Sequence, residues 1–216
     1  MKYKYIIWDF NGTILDDTGV NLIAINKVLK KRSLPLLKDC DELREIFCFP
    51  VKEYYRRLGM DFSKEPYEIP ADEWVEEYKR NVSKAKITTG VPEALAAFKN
   101  AGLNQIILSA SETEMLKEQI EALGISDSFN EILGCDNVYA GGKVHIGKSW
   151  IERMTKEKVF PALLIGDTDH DLSVAREIGC DCVLFSRGCM SKSKLSKLSV
   201  SVFDNFSEIT DFVLNS

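Results

Sequence analysis

The sequence predicts an α/β protein built on a parallel sheet, with a helical segment inserted after the first strand. Three observations predict it. An apolar run over residues 3–8 stops abruptly at Asp9, a helical hydrophobic period holds from about residue 20 to residue 84, and after Thr89 helices alternate with short apolar runs. A chain of 216 residues with 45% hydrophobic and 28% charged content is long enough for one large core domain plus a smaller insert.

The elements follow in order. The run ending at Trp8 suits a buried strand. Val20 to Leu29 has apolar residues at helical spacing, and Asp17 and Thr18 stand where they could cap its first turn. Leu43–Phe47, Val51–Leu58 and Trp74–Val82 continue the helical theme, with Pro50 and Pro70 as breaks or first-turn residues. Gly90-Val-Pro-Glu opens a helix to Lys99, Gln105 to Leu108 is a buried strand, and Ser111-Glu-Thr-Glu114 has the form of a capping box. Gly124 stops that helix. A helix over residues 144–156, a strand at Leu163–Ile165, a helix ending near Gly179, strands at Cys182–Phe185 and Val200–Phe203, and a terminal helix from Ser207 complete the reading.

Composition narrows the function. A net charge of −5 argues against a nucleic-acid partner, because phosphate-backbone affinity is built from clustered Lys and Arg. An anionic small substrate is compatible with it, since a metal ion and one lysine reverse the field locally. The opening MKYKYIIWDF is too short in apolar length for a signal-peptide core or a membrane span, which points to a cytoplasmic protein with no membrane partner. The six cysteines contain no CxxC pair and no zinc-like spacing, as expected of reduced thiols. With two histidines and neither a GxSxG nor an HExxH motif, few His-based mechanisms are available. Oligomeric state is not legible.

Two motifs carry chemistry. Trp8-Asp9-Phe10-Asn11-Gly12-Thr13 directly follows the first strand, and Ile165-Gly166-Asp167-Thr168-Asp169-His170-Asp171 directly follows a later one. Catalytic groups on parallel sheets gather at the carboxyl ends of strands. Two acidic motifs at one edge meet the need of a divalent, oxygen-seeking metal for carboxylates drawn from distant sequence.

These residues resemble the haloacid dehalogenase superfamily, whose first motif reads DxDGT and whose fourth reads GDxxxD. Asp9 to Thr13 matches the first except at its third position, and Gly166 to Asp171 matches the fourth in full. Ser109, closing Ile106-Ile-Leu-Ser, stands for the second. The resemblance covers essentially the whole chain and is nearest the phosphoglycolate phosphatase and β-phosphoglucomutase branch. It implies a three-layer Rossmann-like parallel-sheet core, residues 1–16 and 86–216, with a helical cap domain at 17–85. It also implies a phosphatase acting on a small phosphorylated metabolite with Mg2+ as cofactor.

In the resemblance, Asp9 is the nucleophile that becomes an aspartyl phosphate. The ion is held by Asp9, the main-chain carbonyl of Asn11, Asp167 and, directly or through water, Asp171. Ser109 donates to a phosphoryl oxygen, with Gly12, Thr13 and Ala110 completing the substrate-binding loop. The third motif is a lysine that neutralises the phosphoryl group. Lys143 and Lys148 compete for it, and Lys143 is preferred because a residue entering a helix from a strand-end loop can face the sheet edge.

Residues 142–149 also satisfy the P-loop pattern GxxxxGK[ST]. A P-loop follows a buried strand immediately, and residues 136–141 do not read as one, so the match is assigned to chance.

Asn11 is the departure from the family pattern. An Asp there protonates the leaving group and then activates water, and an amide does neither. Slow turnover and no mutase activity follow. Because Asn and Asp share a shape, Asn11→Asp is expected to add the missing proton transfer with little strain. Two rivals remain. One is a phosphonoacetaldehyde hydrolase-like enzyme using Lys52 as a Schiff base, and the other is a non-catalytic phosphate-responsive binding protein. Phe47, Phe49, Lys52, Tyr55 and Arg56 are the insert residues that could meet substrate.

Overall fold

A computed structural model describes residues 1–135, 143–155 and 161–216. Its centre is a six-stranded parallel sheet made from β1 (Tyr5–Trp8), β4 (Asn104–Glu112), β5 (Glu131–Cys135), β6 (Ala162–Gly166), β7 (Asp181–Phe185) and β8 (Ser201–Phe203). The strand order is β5-β4-β1-β6-β7-β8. From β1 the chain passes outward to β4 and β5, then returns to β6 on the other side of β1. The order therefore reverses between β1 and β6, where a crevice opens outside the strand carboxyl ends.

Both faces of this sheet are covered, which is why its inner strands read as continuous apolar runs rather than alternating ones. Ile6, Trp8, Ile107, Leu163 and Ile165 pack on one face against α5 (Val91–Asn100), α6 (Thr113–Ala122) and α10 (Phe206–Leu214). Ile7, Ile106, Leu108 and Leu164 pack on the other against α7 (Val144–Thr155) and α8 (Asp169–Ile178). The result is a three-layer α/β core. No helix among the described residues is long and apolar enough to cross a membrane.

The helical insert lies between β2 (Leu15–Asp16) and β3 (Lys86–Ile87), a short antiparallel pair with Leu15 opposite Ile87 and Asp16 opposite Lys86. Neither strand is visible in the hydrophobic period, being too short to show alternation. Between them run α1 (Thr18–Lys31), α2 (Cys40–Ile46), α3 (Val51–Arg57) and α4 (Glu68–Asn81). Ile25, Val28, Leu29, Leu43, Tyr54 and Tyr55 give the insert its own core. It is tied down beside the sheet edge. Arg44 Nε donates to the Gly188 carbonyl (2.8 Å), and Lys194 Nζ, from the short helix α9 (Lys192–Leu195), donates to the Phe47 carbonyl (2.9 Å). The Phe49 ring stacks on His170 with centroids 4.5 Å apart.

Three local expectations are corrected. The strand expected at 105–108 runs on to Glu112, with a register irregularity between Leu108 and Glu112. That extension moves the following helix start, so α6 is capped by Glu112, whose carboxylate accepts from the Glu114 and Met115 N–H groups, and not by Ser111. Asp17 precedes α1 but its side chain makes no cap bond, because it turns back onto the loop after β1. The strand β5 also escaped the sequence reading. Residues 136–142, which hold the start of the P-loop-like pattern, lie outside the described residues, as does residue 156 of the expected helix. Gly147 and Lys148 lie within α7, where a Cβ on Gly147 would meet Ile178 Cγ2 at 3.0 Å, so this glycine serves helix packing.

Candidate active site

The site begins with register. Trp8 pairs with Ile165, and the Asp9 N–H donates to the Ile165 carbonyl at 2.9 Å, so the next residues of β1 and β6 leave the sheet at one level. Asp9 and Asp167 thus share the crevice. The loop after Asp9 is closed by Thr13 and Leu15 N–H bonds to the Phe10 carbonyl and a Gly12 N–H bond to the Leu15 carbonyl. Gly12 has φ +76°, and a Cβ there would collide with the Asp167 carboxylate while meeting Cys189 Sγ at 3.0 Å. Only glycine allows this approach.

Asp9, Asp167 and Asp171 bring one carboxylate oxygen each within 4.8 Å of one another. Asp171 sits in the first turn of α8, in a capping box with Thr168. Its Oδ2 accepts from the Thr168 hydroxyl (2.7 Å) and from the Thr168 and Asp167 N–H groups. Its Oδ1 meets Lys143 Nζ at 2.5 Å, and the same ammonium meets Asp9 Oδ1 at 2.5 Å. Asp167 accepts from the Thr13 hydroxyl (3.2 Å) and the Cys189 N–H (2.5 Å).

The electrostatics follow from one ammonium among three buried carboxylates. Burial pushes Asp9 up to about 6 against the pull of Lys143. Burial and the charges of Asp9 and Asp171 push Asp167 well above the ordinary range. Burial also opposes the charge of Asp171, but the Lys143 ammonium and the Thr168 hydroxyl outweigh it and hold the carboxyl below its usual value. Among the described residues, the cluster therefore carries an excess of negative charge and offers hard oxygen donors. That donor set suits Mg2+, whose charge would offset the repulsion that raises Asp9 and Asp167.

Other expected residues are placed as follows. Ser109 is buried at the β4 edge, and its Oγ accepts from the Ser111 N–H at 3.1 Å. Ala110 is exposed beside it. Lys148 reaches away to Glu177 (2.6 Å) on the surface. Lys52 lies over the rings of Phe62 (5.5 Å) and Tyr67 (5.6 Å), in a hollow lined by Arg56, Met60, Asp61 and Ser63 and sharing no residue with the carboxylate cluster. Tyr55 is buried in the insert core, and Arg56 pairs with Glu53. Phe49, stacked on His170, is the one of these side chains whose ring touches the motif after β6.

The Asn11 side chain is fully engaged. Nδ2 donates to Asp17 Oδ2 (2.8 Å) and to the Tyr78 oxygen (2.9 Å), and Oδ1 accepts from the Ser111 hydroxyl (2.7 Å). Asn11→Asp would set a second carboxylate against Asp17, so the expectation of little strain is corrected: the shapes agree but the hydrogen-bonding partners do not. Asp17, Tyr78, Ser111 and Cys189 were not singled out as site residues from the sequence. Asp17 lay within reach of inspection, being close to Gly12 in the chain. Tyr78 carried no signal beyond an aromatic at helical spacing.

The comparisons agree with this geometry. The family model described as haloacid dehalogenase-like hydrolase matches residues 6–185. The chain is 25% identical over 211 residues to "Probable phosphatase IndB" of Dickeya dadantii, covering 94% of this chain and 90% of that protein. It is 26% identical to a phosphoglycolate phosphatase of Vibrio vulnificus, covering 100% of this chain and 98% of that one. The crystal structure of a predicted phosphatase from Clostridium acetobutylicum superposes with a TM-score of 0.82 at 17% identity, covering 100% of both chains. A matched family model spanning both acidic motifs, on a fold that joins those motifs in one crevice, places this chain in the haloacid dehalogenase-like hydrolase family.

Proposed function

We propose that this chain is a Mg2+-dependent phosphatase of small phosphate monoesters, phosphoglycolate phosphatase-like, that works through an aspartyl phosphate on Asp9. The observation that carries the reading is the Asp9, Asp167 and Asp171 cluster bridged by Lys143. Asp9, Asp167, the Asn11 carbonyl and Asp171 would hold the ion, which supplies positive charge between an anionic nucleophile and an anionic phosphate.

The chain's own residues then do the following. Asp9 attacks phosphorus, forming a P–O bond as the bond to the leaving oxygen breaks. Lys143 and Ser109 balance charge on the phosphoryl oxygens. Asp171 keeps Lys143 in place. Because Asn11 carries no acidic proton, the leaving oxygen takes its proton from water. A water molecule then cleaves the aspartyl phosphate, releasing phosphate and restoring the Asp9 carboxylate. Residues 17–85 act as a cap over the leaving group.

A screen of small phosphate esters with and without Mg2+ tests this reading. Phosphate release that needs Mg2+ and disappears in Asp9→Asn supports it. Mg2+-dependent binding of phosphate with no release from any ester would make the chain a phosphate-responsive binding protein instead.

A further inference from the structure

Asn11 is hydrogen-bonded through both the nitrogen and the oxygen of its side-chain amide. Asp17 is 1% exposed, and its oxygens accept from the Gly12 N–H (3.0 Å), the Asn11 amide (2.8 Å) and the Tyr78 hydroxyl (2.7 Å). Tyr78 comes from α4 of the insert, where its ring stacks on Trp74 with centroids 4.9 Å apart. Asn11 and Gly12 belong to the loop that carries Asp9. One carboxylate and one amide thus join the catalytic loop to the far end of the insert.

We propose that Asn11 and Asp17 are a positioning pair, an amide at 11 and a carboxylate at 17, which with the Tyr78 hydroxyl fixes the Asp9 loop to helix α4. The donor count explains the choice of residues. Toward Asp17 and Tyr78, position 11 must donate, and toward Ser111 it must accept, which an amide does at once and a carboxylate does not. Position 17 must accept three times, which a carboxylate does without leaving a donor unmatched. Each half determines the other. In the exchanged pair the amide, now at position 17, would keep its oxygen on the Gly12 N–H and turn its NH2 toward the carboxylate at position 11 and the Tyr78 oxygen. The Tyr78 hydroxyl would donate to that same carboxylate. Every partner remains satisfied.

The test is a cycle of four proteins: wild type, Asn11→Asp, Asp17→Asn and the double exchange, each with thermal melting followed in EDTA. Each single variant should melt about 5 °C lower or more, and the double should return to within about 2 °C of wild type. Losses that simply add in the double overturn the pair. If Asn11→Asp does not accumulate as folded protein, Asn11→Ala with Tyr78→Phe gives an equivalent cycle. Because both substitutions remove the Asn11–Tyr78 bond, the double should then lose clearly less than the sum of the two singles, and additive losses again overturn the proposal.

Turnover provides the readout that separates positioning from support of the fold, and it rests on the phosphatase reading above. Measured well below every melting point with p-nitrophenyl phosphate and Mg2+, kcat should fall at least tenfold in each single variant and recover in the exchange. Recovery of melting without recovery of kcat would overturn the positioning role. A wild type without turnover overturns the phosphatase reading, and the melting cycle, which uses no substrate, still decides the pair.

Discussion

Lys143 Nζ lies 2.5 Å from Asp171 Oδ1, and the same ammonium lies 2.5 Å from Asp9 Oδ1. One buried cation therefore spans the residue just after β1 and the first turn of α8. Removing it would leave two buried carboxylates without their counter-charge, a loss typically worth about 3–5 kcal/mol. Lys143→Ala should lower stability in EDTA by an amount of that order and cut kcat/KM at least tenfold, with Mg2+ recovering part of the stability. Lys148→Ala breaks only an exposed pair with Glu177 and should change stability by less than about 1 kcal/mol. A larger effect of Lys148→Ala on kinetics would reverse the assignment of the motif lysine, and equal effects would remove it from Lys143.

The raised Asp9 carboxyl makes a pH prediction whose sign is opposite to that of an ordinary salt-bridged aspartate. Its folded value is about 6 against an ordinary 3.8, so between those values the folded state holds a proton that the unfolded state has lost. Stability should fall as pH rises through that window, by something on the order of 3 kcal/mol from this group. Asp171, held low, contributes in the opposite sense, and its share is lost only at more acid pH. Denaturation in EDTA at about pH 4.5 and about pH 6.5 measures the slope. Asp9→Asn should reduce it, the remainder in the same sense coming from the raised Asp167 carboxyl, and saturating Mg2+, if held by the ionised carboxylates as proposed, should raise stability most at the higher pH. An unaltered slope in Asp9→Asn would discount the buried charge.

Magnesium affinity should depend on a backbone detail. The Gly188 carbonyl accepts from Arg44 of the insert, and the other end of the same peptide, the Cys189 N–H, donates to Asp167. A Cβ on Gly188 would collide with the Asp167 carboxylate. Calorimetry should find Mg2+ binding at least tenfold weaker in Gly188→Ala and Asp167→Ala, with folding retained. Unchanged affinity in Asp167→Ala would remove Asp167 from the metal site.

Leaving-group dependence follows from the amide at residue 11. General acid help is typically worth about 10²- to 10⁴-fold, so sugar and glycolate phosphates should turn over slowly, whereas p-nitrophenyl phosphate needs little protonation and should suffer less in the first step. On the proposed aspartyl-phosphate route, with no base at residue 11, water attack should limit turnover of p-nitrophenyl phosphate, and phospho-enzyme should accumulate as a burst with that ester. Equal rates on alkyl and aryl esters without a burst would mean another group supplies the proton.

Much of this protein was legible in its sequence because the relevant forces are local. The apolar run before Asp9, the turn at Gly12 and the helical period of the insert depend on neighbours in the chain. The acidic motifs were legible for the same reason: each follows directly on its own strand. Tertiary structure alone decided which partners those residues meet. The preference for Lys143 over Lys148 rested on where a helix begins, yet its contacts with Asp9 and Asp171 depend on α7 and α8 packing on one face of the sheet. Asn11 could be read as a missing acid. That its amide is held by Asp17, Tyr78 and Ser111 could not, because Tyr78 is 67 residues away and Ser111 is 100 residues away. Local rules set the chemical type of each group, but a hydrogen bond between distant groups exists only once packing has set their distance and direction.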